Sequence, residues 1–298
     1  LTERRSPIPG LPVIALRRVG GEHGISHAIA TLSGGGEAFV KSGPGFPADG
    51  PSAETGDDPA DGDGGGVAAE ANGLRWLAAA PDGAPVPAVL AAGATYLAIE
   101  YLPPGHPTPE AAERFGAELA RTHAAGADGF GAPWPGWIAG LPLDNAAGEA
   151  WPRWYAERRL LPYLRRARDA GTLSSADAGV VEAVIDRIDD LAGPPEPPAR
   201  IHGDLWSGNV LWSGGRGWLI DPAAHGGHRE TDLAMLALFS APYLDRILAA
   251  YTDVSPLADG WRSRIPLHQL HPLLLHVNLY GPAYRSELLA AARSAPRP

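Results

Sequence analysis

Three short apolar stretches near the N-terminus are joined by connections too brief for the chain to run parallel to itself. LPVIALRRV (residues 11–19) and HAIATL (27–32) read as strands separated by the glycine-bearing turn GGEHGIS, and GEAFVK (36–41) follows after SGGG. A parallel crossover needs about a dozen residues or more, so these segments predict an antiparallel meander. AVLAAGATYLAIEYL (88–102) reads as two further strands. VAAEANGLRWLAAA (67–80) has apolar spacing consistent with a helix carrying Glu70, Leu74 and Leu77 on one side.

From residue 107 the signals become those of helices. PTPEAAERFGAELARTHAAG has Thr108 as N-cap, Pro109 at the first helical position and Gly126 near the end. Residues 151–171, 174–193, 231–252 and 267–294 supply the remaining helices, and one hairpin at 209–221 interrupts them. No repeat period is visible. The expected fold class is α+β with two lobes. Residues 1–102 form a small antiparallel-sheet lobe with one helix, and 103–298 a larger, mainly helical lobe, joined near Glu100–Pro104.

Composition removes several classes of function. At 298 residues and 45% hydrophobic content the chain can bury a large core or two lobes. It has no cysteine, which excludes disulfides, thiolate metal sites and a Cys nucleophile. No apolar run approaches the roughly 18 residues of a membrane span, and the N-terminus lacks a signal-peptide pattern. A cytoplasmic location is expected. The net charge of −10 argues against a nucleic-acid partner. Residues 43–66 are rich in Gly, Pro and Asp without hydrophobic periodicity, and are expected to be a mobile, solvated, acidic insertion. The 24 basic residues include a single lysine, Lys41. A site that asks for a compact, flexible ammonium would explain that exception.

The stretch IHGDLWSGNVLWSGGRGWLID (201–221) carries the chemistry. Phosphoryl transfer from ATP needs a carboxylate beside the acceptor hydroxyl, oxygen ligands for Mg²⁺, and a cation on the donor phosphates. Asp204 followed five residues later by Asn209 has the spacing of a kinase catalytic loop, and Asp221 ends the hairpin where a metal-binding Asp belongs. Lys41 ends the third strand, and Glu70 lies on the next helix as its pairing partner. Taken singly, each has a plainer reading: Asp204 and Asn209 as turn residues, Asp221 as a strand end, Glu70 as an exposed helix residue. Gly20, Gly21 and Gly24 serve a hairpin turn in any case. His202 reads as a buried residue fixing the loop. Trp206 is either core packing or an aromatic wall for substrate. Trp134, Trp137, Trp151 and Trp154 face the same choice, and packing is the preferred reading for most of them. His225 and His228 invite a zinc reading, but no third ligand is identifiable from the sequence.

HGDLWSGN (202–209), IDPA (220–223) and GHRETDLAML (227–236) together resemble the fructosamine kinase, or ketosamine-3-kinase, family within the protein-kinase-like and aminoglycoside-phosphotransferase-like superfamily. LWSGN separates it from the aminoglycoside and choline phosphotransferases, which share HGD and a later Asp. FVK (39–41), LAIEYL (97–102), FGAPWPGWIAGLPLDN (130–145), ERRLLPYL (157–164) and LLLHVNLYGPAY (273–284) fall in the family's order. The resemblance implies a protein-kinase-like bilobal fold that uses ATP and Mg²⁺ to phosphorylate the O3 hydroxyl of ketosamines. The adduct then sheds its sugar and restores the amine.

Carried onto this chain, the resemblance makes Asp204 the base, Asn209 and Asp221 the metal ligands, and Lys41 the phosphate cation held by Glu70. Backbone groups of Glu100, Tyr101 and Leu102 would meet adenine, with Gly20, Gly21 and Gly24 in the glycine turn of the nucleotide site. Asp232 would brace the catalytic loop. The substrate would be a small ketosamine or a glycated protein, handled by a monomer with no nucleic-acid or membrane partner. The competing readings are a phosphotransferase of the aminoglycoside or choline type and a non-catalytic kinase-like binding module. The intact Lys41, Asp204, Asn209 and Asp221 argue against the module. Two departures stand out. The 43–66 insertion separates Lys41 from Glu70, and the absence of cysteine excludes the thiol-based regulation open to relatives with a cysteine in the glycine turn.

Overall fold

In the computed structural model the described residues are 6, 8–22, 24–43 and 65–295. Most of the acidic insertion, residues 44–64, lies outside them, and so does the expectation attached to it. β1 (Val13–Glu22), β2 (Ile25–Leu32) and β3 (Glu37–Ser42) pair antiparallel, as their short connections require. After α1 (Gly65–Ala78), β4 (Val89–Ala92) and β5 (Tyr96–Glu100) complete a sheet of order β1-β2-β3-β5-β4. The β1–β2 ladder runs further than the apolar pattern, through Gly20↔His27 and Gly21↔Ser26. Backbone pairing needs no side chain, so hydrophobic periodicity could not mark those last rungs.

Alternation along β3 decides which way the single lysine points. Ala38 and Val40 pack with Ile8, Leu11, Ala28 and Ala30 on one face of the sheet. Phe39 faces the other cluster, formed by Val67, Ala71 and Leu74 of α1 with Leu97 and Ile99. Lys41, two residues beyond Phe39, shares that face. It stands opposite His27 and Leu97 in the register and looks toward α1.

The rest of the chain is mainly helical. α2 (Pro109–Ala124) starts at Thr108, whose hydroxyl accepts the Ala111 N–H. The small strands β6 (Gly136–Ile138) and β7 (Leu141–Leu143) follow. α3 (Trp151–Tyr155) and α4 (Leu161–Asp169) are joined by a π-helical turn at Ala156–Leu160, and α5 (Ser175–Ile185) and α6 (Ile188–Leu191) come next. β8 (Ala199–Ile201), the hairpin β9 (Val210–Ser213) with β10 (Arg216–Leu219), and β11 (His225–Gly227) interrupt the helices. α7 (Glu230–Leu238), α8 (Leu244–Val254), α9 (Trp261–Tyr280) and α10 (Arg285–Ser294) end the fold. Among the described residues no helix is long and apolar enough to cross a membrane.

Several helices depart from the sequence reading: 174–193 divides into α5 and α6, and 267–294 holds parts of both α9 and α10. The segment 231–252 divides into α7 and α8 because Ser240 and Tyr243 adopt left-handed backbone conformations between them. α9 begins at Trp261 rather than 267 and holds Pro266 and Pro272 in its interior. Pro272 cannot donate to the His268 carbonyl. The buried Tyr155 hydroxyl lies 3.1 Å from both the His268 and Leu267 carbonyls and accepts the His271 N–H, so the interrupted ladder is repaired from α3.

The lobes meet in a shared core. Leu77 of α1 and Ala84 join a cluster built mainly from α2, β9, β10, α7 and α8, with Trp261 of α9. The Ala84 N–H donates to Thr122 Oγ1 (2.9 Å) and the Leu219 N–H to the Pro85 carbonyl (2.8 Å). Within this cluster α2 and α8 approach closely at Gly116, where a Cβ would stand 2.2 Å from the Ile247 carbonyl oxygen. Gly116→Ala must push the two helices apart. It is expected to cost about 1–3 kcal/mol, read as a lower midpoint in urea unfolding.

Candidate active site

Asp232, in the first turn of α7, is fully buried and accepts the backbone N–H groups of His202 (2.7 Å) and Gly203 (2.9 Å). The two bonds pin the turn that leaves β8. Gly203 has φ +82°, and a Cβ there would lie 2.4 Å from the Ala223 carbonyl oxygen, so the loop passes that segment only as glycine. His123 of α2 meets the same carboxylate through Nε2 (3.1 Å), and its Nδ1 lies 2.8 Å from the Tyr251 hydroxyl of α8. A carboxylate only accepts, so Nε2 of His123 carries a proton toward Asp232, and Nδ1 shares a hydrogen bond with Tyr251. Burial alone would raise the Asp232 pKa, but its bond to His123 and the nearby amides hold it below the usual range.

His202 ties the two halves of the site together. Its Nε2 donates to the Ile220 carbonyl (2.8 Å), and its Nδ1 accepts the Asp204 N–H (3.2 Å). Burial holds its pKa below the ordinary histidine value, which keeps the neutral form these bonds require. It therefore supports the loop. Asn209 donates from Nδ2 to the Asp204 carbonyl (2.8 Å) and to its carboxylate Oδ2 (3.0 Å). That orientation leaves the amide oxygen of Asn209 as its ligand atom. The Asp204 pKa is pushed up to about 7, first by burial and then by the like charge of Asp221.

Asp221 follows β10 with φ +54°, in the left-handed region where a non-glycine residue is uncommon. The turn aims its carboxylate at Lys41, with which it pairs closely. Lys41 Nζ also reaches Glu70 at 3.0 and 2.9 Å. Burial disfavours the ammonium, yet Glu70 and Asp221 outweigh it and hold the Lys41 pKa above normal. Burial likewise opposes ionisation of Asp221, and Lys41 overrides it, lowering that pKa. The structure thus joins Lys41, Glu70 and Asp221 across the gap left by residues 44–64, with Asp204 and Asn209 linked through His202 and Ile220.

Other sequence-singled residues fall at the edges of this site. Gly20 and Gly21 lie within β1, paired with β2, and Gly24 takes φ +77° at the turn that follows. At the junction of the lobes, the Glu100 N–H donates to the Ala88 carbonyl and the Tyr101 N–H to the Glu37 carbonyl. Among the described residues no backbone bond takes up the Leu102 N–H. Trp206 is 41% exposed with its ring edge-on to Phe239, whereas Trp151 and Trp154 are buried packing residues. His225 donates from Nδ1 to the Ala223 carbonyl (2.8 Å), and among the described residues it belongs to no group of metal-ligand type. His228 does have neighbours of ligand type, Glu230 and His268, but Arg264 binds both oxygens of Glu230 at 2.9 and 2.6 Å. The sequence reading missed His123 and Tyr251. Nothing local marks them, since His123 is 109 residues from Asp232 in the chain and 128 from Tyr251.

Comparison with known proteins identifies a family. The fructosamine kinase family model matches residues 66–293. The chain belongs to the fructosamine kinase family. A candidate ketoamine kinase from Synechocystis is 34% identical over 226 residues, covering 74% of this chain and 75% of that one. The chloroplastic protein-ribulosamine 3-kinase of Arabidopsis thaliana is 32% identical over 208 residues, covering 67% and 62%. The crystal structure of a candidate fructosamine-3-kinase from Thermobifida fusca YX-ER1 superposes with a TM-score of 0.88 at 53% identity, covering 97% and 95%. The gentamicin complex of APH(2")-IIa has a TM-score of 0.62 at 13% identity, covering 95% and 91%, which shows the shared kinase-like fold alone. As a fructosamine kinase family member the chain is an ATP-dependent phosphotransferase.

The raised Asp204 pKa has a consequence for stability. Between the ordinary value of 3.8 and about 7, the folded chain holds a proton that the unfolded chain has released. The stability linked to this group is therefore complete below about pH 4 and lost as pH rises through 7. Asp204→Asn should raise the Tm of metal-free protein by about 2–4 °C at pH 8, and by less at pH 5. Scanning fluorimetry at the two pH values checks this, and an equal difference at both would contradict it.

Proposed function

We propose that this chain phosphorylates the O3 hydroxyl of ketosamines with ATP and Mg²⁺, promoting loss of the sugar and return of the free amine. The observation that supports this reading is that Lys41 meets Glu70 and Asp221, while Asp204 meets Asn209 and is tied through His202 to Ile220, the residue before Asp221. Asp204 would accept the proton of the acceptor hydroxyl, whose oxygen bonds to the γ-phosphorus as the bond to the bridging oxygen of ADP breaks. A carboxylate with a pKa near 7 is a better proton acceptor than an ordinary aspartate, and partial ionisation at neutral pH leaves it available.

Lys41 would meet the donor phosphates with Glu70 fixing its reach. Asn209 through its amide oxygen, and Asp221 through its carboxylate, offer hard oxygen ligands that suit Mg²⁺. When bound, the ion would neutralise phosphate charge. Adenine would lie against the backbone of Glu100, Tyr101 and Leu102, between a lobe of residues 1–102 and a lobe of 103–298, with the Gly20–Gly24 ribbon beside the phosphates. Exposed Trp206 would form a wall for the sugar or amine. His202 and Asp232 position the loop. We also take the protein to be a cytoplasmic monomer that acts on small ketosamines or glycated proteins without nucleic-acid or membrane partners, a reading supported by its acidic charge and its lack of cysteine.

The direct test is ATP-dependent phosphorylation of ribulose-, erythrulose- and fructose-amine adducts, run beside an aminoglycoside and choline. Turnover confined to the last two would replace the acceptor class. Asp204→Asn should lower kcat by about 10²–10⁴-fold while nucleotide binding persists. Lys41→Arg should be nearly as damaging as Lys41→Ala, because a broad guanidinium cannot take the place of an ammonium enclosed by Glu70 and Asp221. Full activity in Lys41→Arg would detach this residue from the chemistry.

A further inference from the structure

Behind the turn at Gly203 lies a buried cation that, among the described residues, forms no direct ion pair. Arg159, in the π-helical turn between α3 and α4, is 1% exposed. Its Nη groups donate to the Asp144 carbonyl (2.6 Å), the Arg158 carbonyl (3.3 Å) and Asn145 Oδ1 (2.7 Å), all neutral oxygens. The guanidinium lies over the Trp154 ring at 4.3 Å. Among the described residues no carboxylate comes within ion-pair distance of it, and the Asp144 carboxylate is taken by Arg158. A buried charge without a partner costs several kcal/mol. Its Nε remains buried with no hydrogen-bond partner, and so does Nε2 of His271.

Both residues line one internal cavity of about 10 Å³, together with Gly203, His225, Trp154 and Tyr155. That volume accommodates one water-sized particle, which rules out a carboxylate or a phosphate. Burial first, and the Arg159 charge second, hold His225 down to about 3 and His271 well below the ordinary value, so these rings are neutral. The fixed charge at the cavity is then that of Arg159 alone. The side chains that line the cavity with it include no carboxylate, and the nearby Asp144 carboxylate, which favours the Arg159 charge, is already paired with Arg158.

We infer that this cavity is a site for one small monovalent anion of the halide class, held by Arg159 Nε–H and His271 Nε2–H directly behind Gly203 of the catalytic loop. A halide is a single atom that only accepts hydrogen bonds and brings a full negative charge to the one charged side chain lining the cavity. A water molecule would meet the same donors and leave that charge in place. The occupant would stiffen the turn from which Asp204 projects, without touching substrate or nucleotide.

Crystals of the full chain equilibrated with sodium bromide, and measured at the bromine edge, test the site directly. An anomalous peak within about 3.5 Å of Arg159 Nε and His271 Nε2 is expected. Density without anomalous signal marks a water and overturns the inference. In solution, Tm should rise saturably when sodium gluconate is replaced by bromide or chloride at constant ionic strength. Arg159→Met should abolish that dependence. Should that variant fail to fold, His271→Phe keeps the charge, loses one donor, and should weaken the halide response about tenfold. A bromide peak with a Tm identical in bromide and gluconate would mark an adventitious ion only, and would also overturn it.

Discussion

The carboxylate of Asp232 holds together elements that the chain delivers from four directions. It takes two backbone amides from the loop after β8, sits on α7, and is met by His123 from α2, which is itself met by Tyr251 from α8. A buried carboxylate is tolerable only when its lone pairs are filled, and here donors from backbone and side chain fill them. The geometry of the loop is therefore set by a group that never reaches the cleft. The close α2–α8 contact at Gly116 belongs to the same construction, because it fixes the separation at which Tyr251 reaches His123.

A second buried charge cluster bridges the lobes. Lys41 comes from the sheet, Glu70 from α1 and Asp221 from beyond β10; Lys41 and Glu70 are largely buried where they meet, and Asp221 keeps one side open to solvent. Such a cluster is weak support for stability, since desolvation offsets much of the Coulomb gain. Its value is positional. The ammonium is fixed between the two carboxylates, and the left-handed Asp221 is turned toward it rather than back along the strand. The shared core at Leu77 and Ala84, and the bonds from Thr122 and Leu219, keep α1 in register with the catalytic loop. Glu70 is thereby referenced to both lobes.

His202 shows how economical the loop is. One neutral ring accepts from Asp204 and donates to Ile220, so Asp204 and the residue before Asp221 are spaced by a single side chain. Asn209 then satisfies the Asp204 backbone and side chain together. Each of these contacts spans few residues, and for that reason the loop's identity survives as a readable motif.

The sequence by itself determined what depends on near neighbours. The antiparallel meander follows from short connections, the start of α2 from Thr108 and Pro109, and the Asp204–Asn209 pair and hairpin from spacing within one loop. Even the direction of Lys41 is implicit in the alternation of β3. Tertiary structure alone decided the rest. The division of 231–252 depends on left-handed backbone at Ser240 and Tyr243, which have no sequence signature as strong as glycine. The continuation of α9 through Pro272 depends on Tyr155, a hydroxyl from another helix. The joining of Lys41 to Glu70 across residues 44–64, the His123–Tyr251 support and the unpaired Arg159 are all contacts between distant segments. Their energies come from burial and from hydrogen-bond partners far away in the chain, and periodicity and spacing carry no record of either.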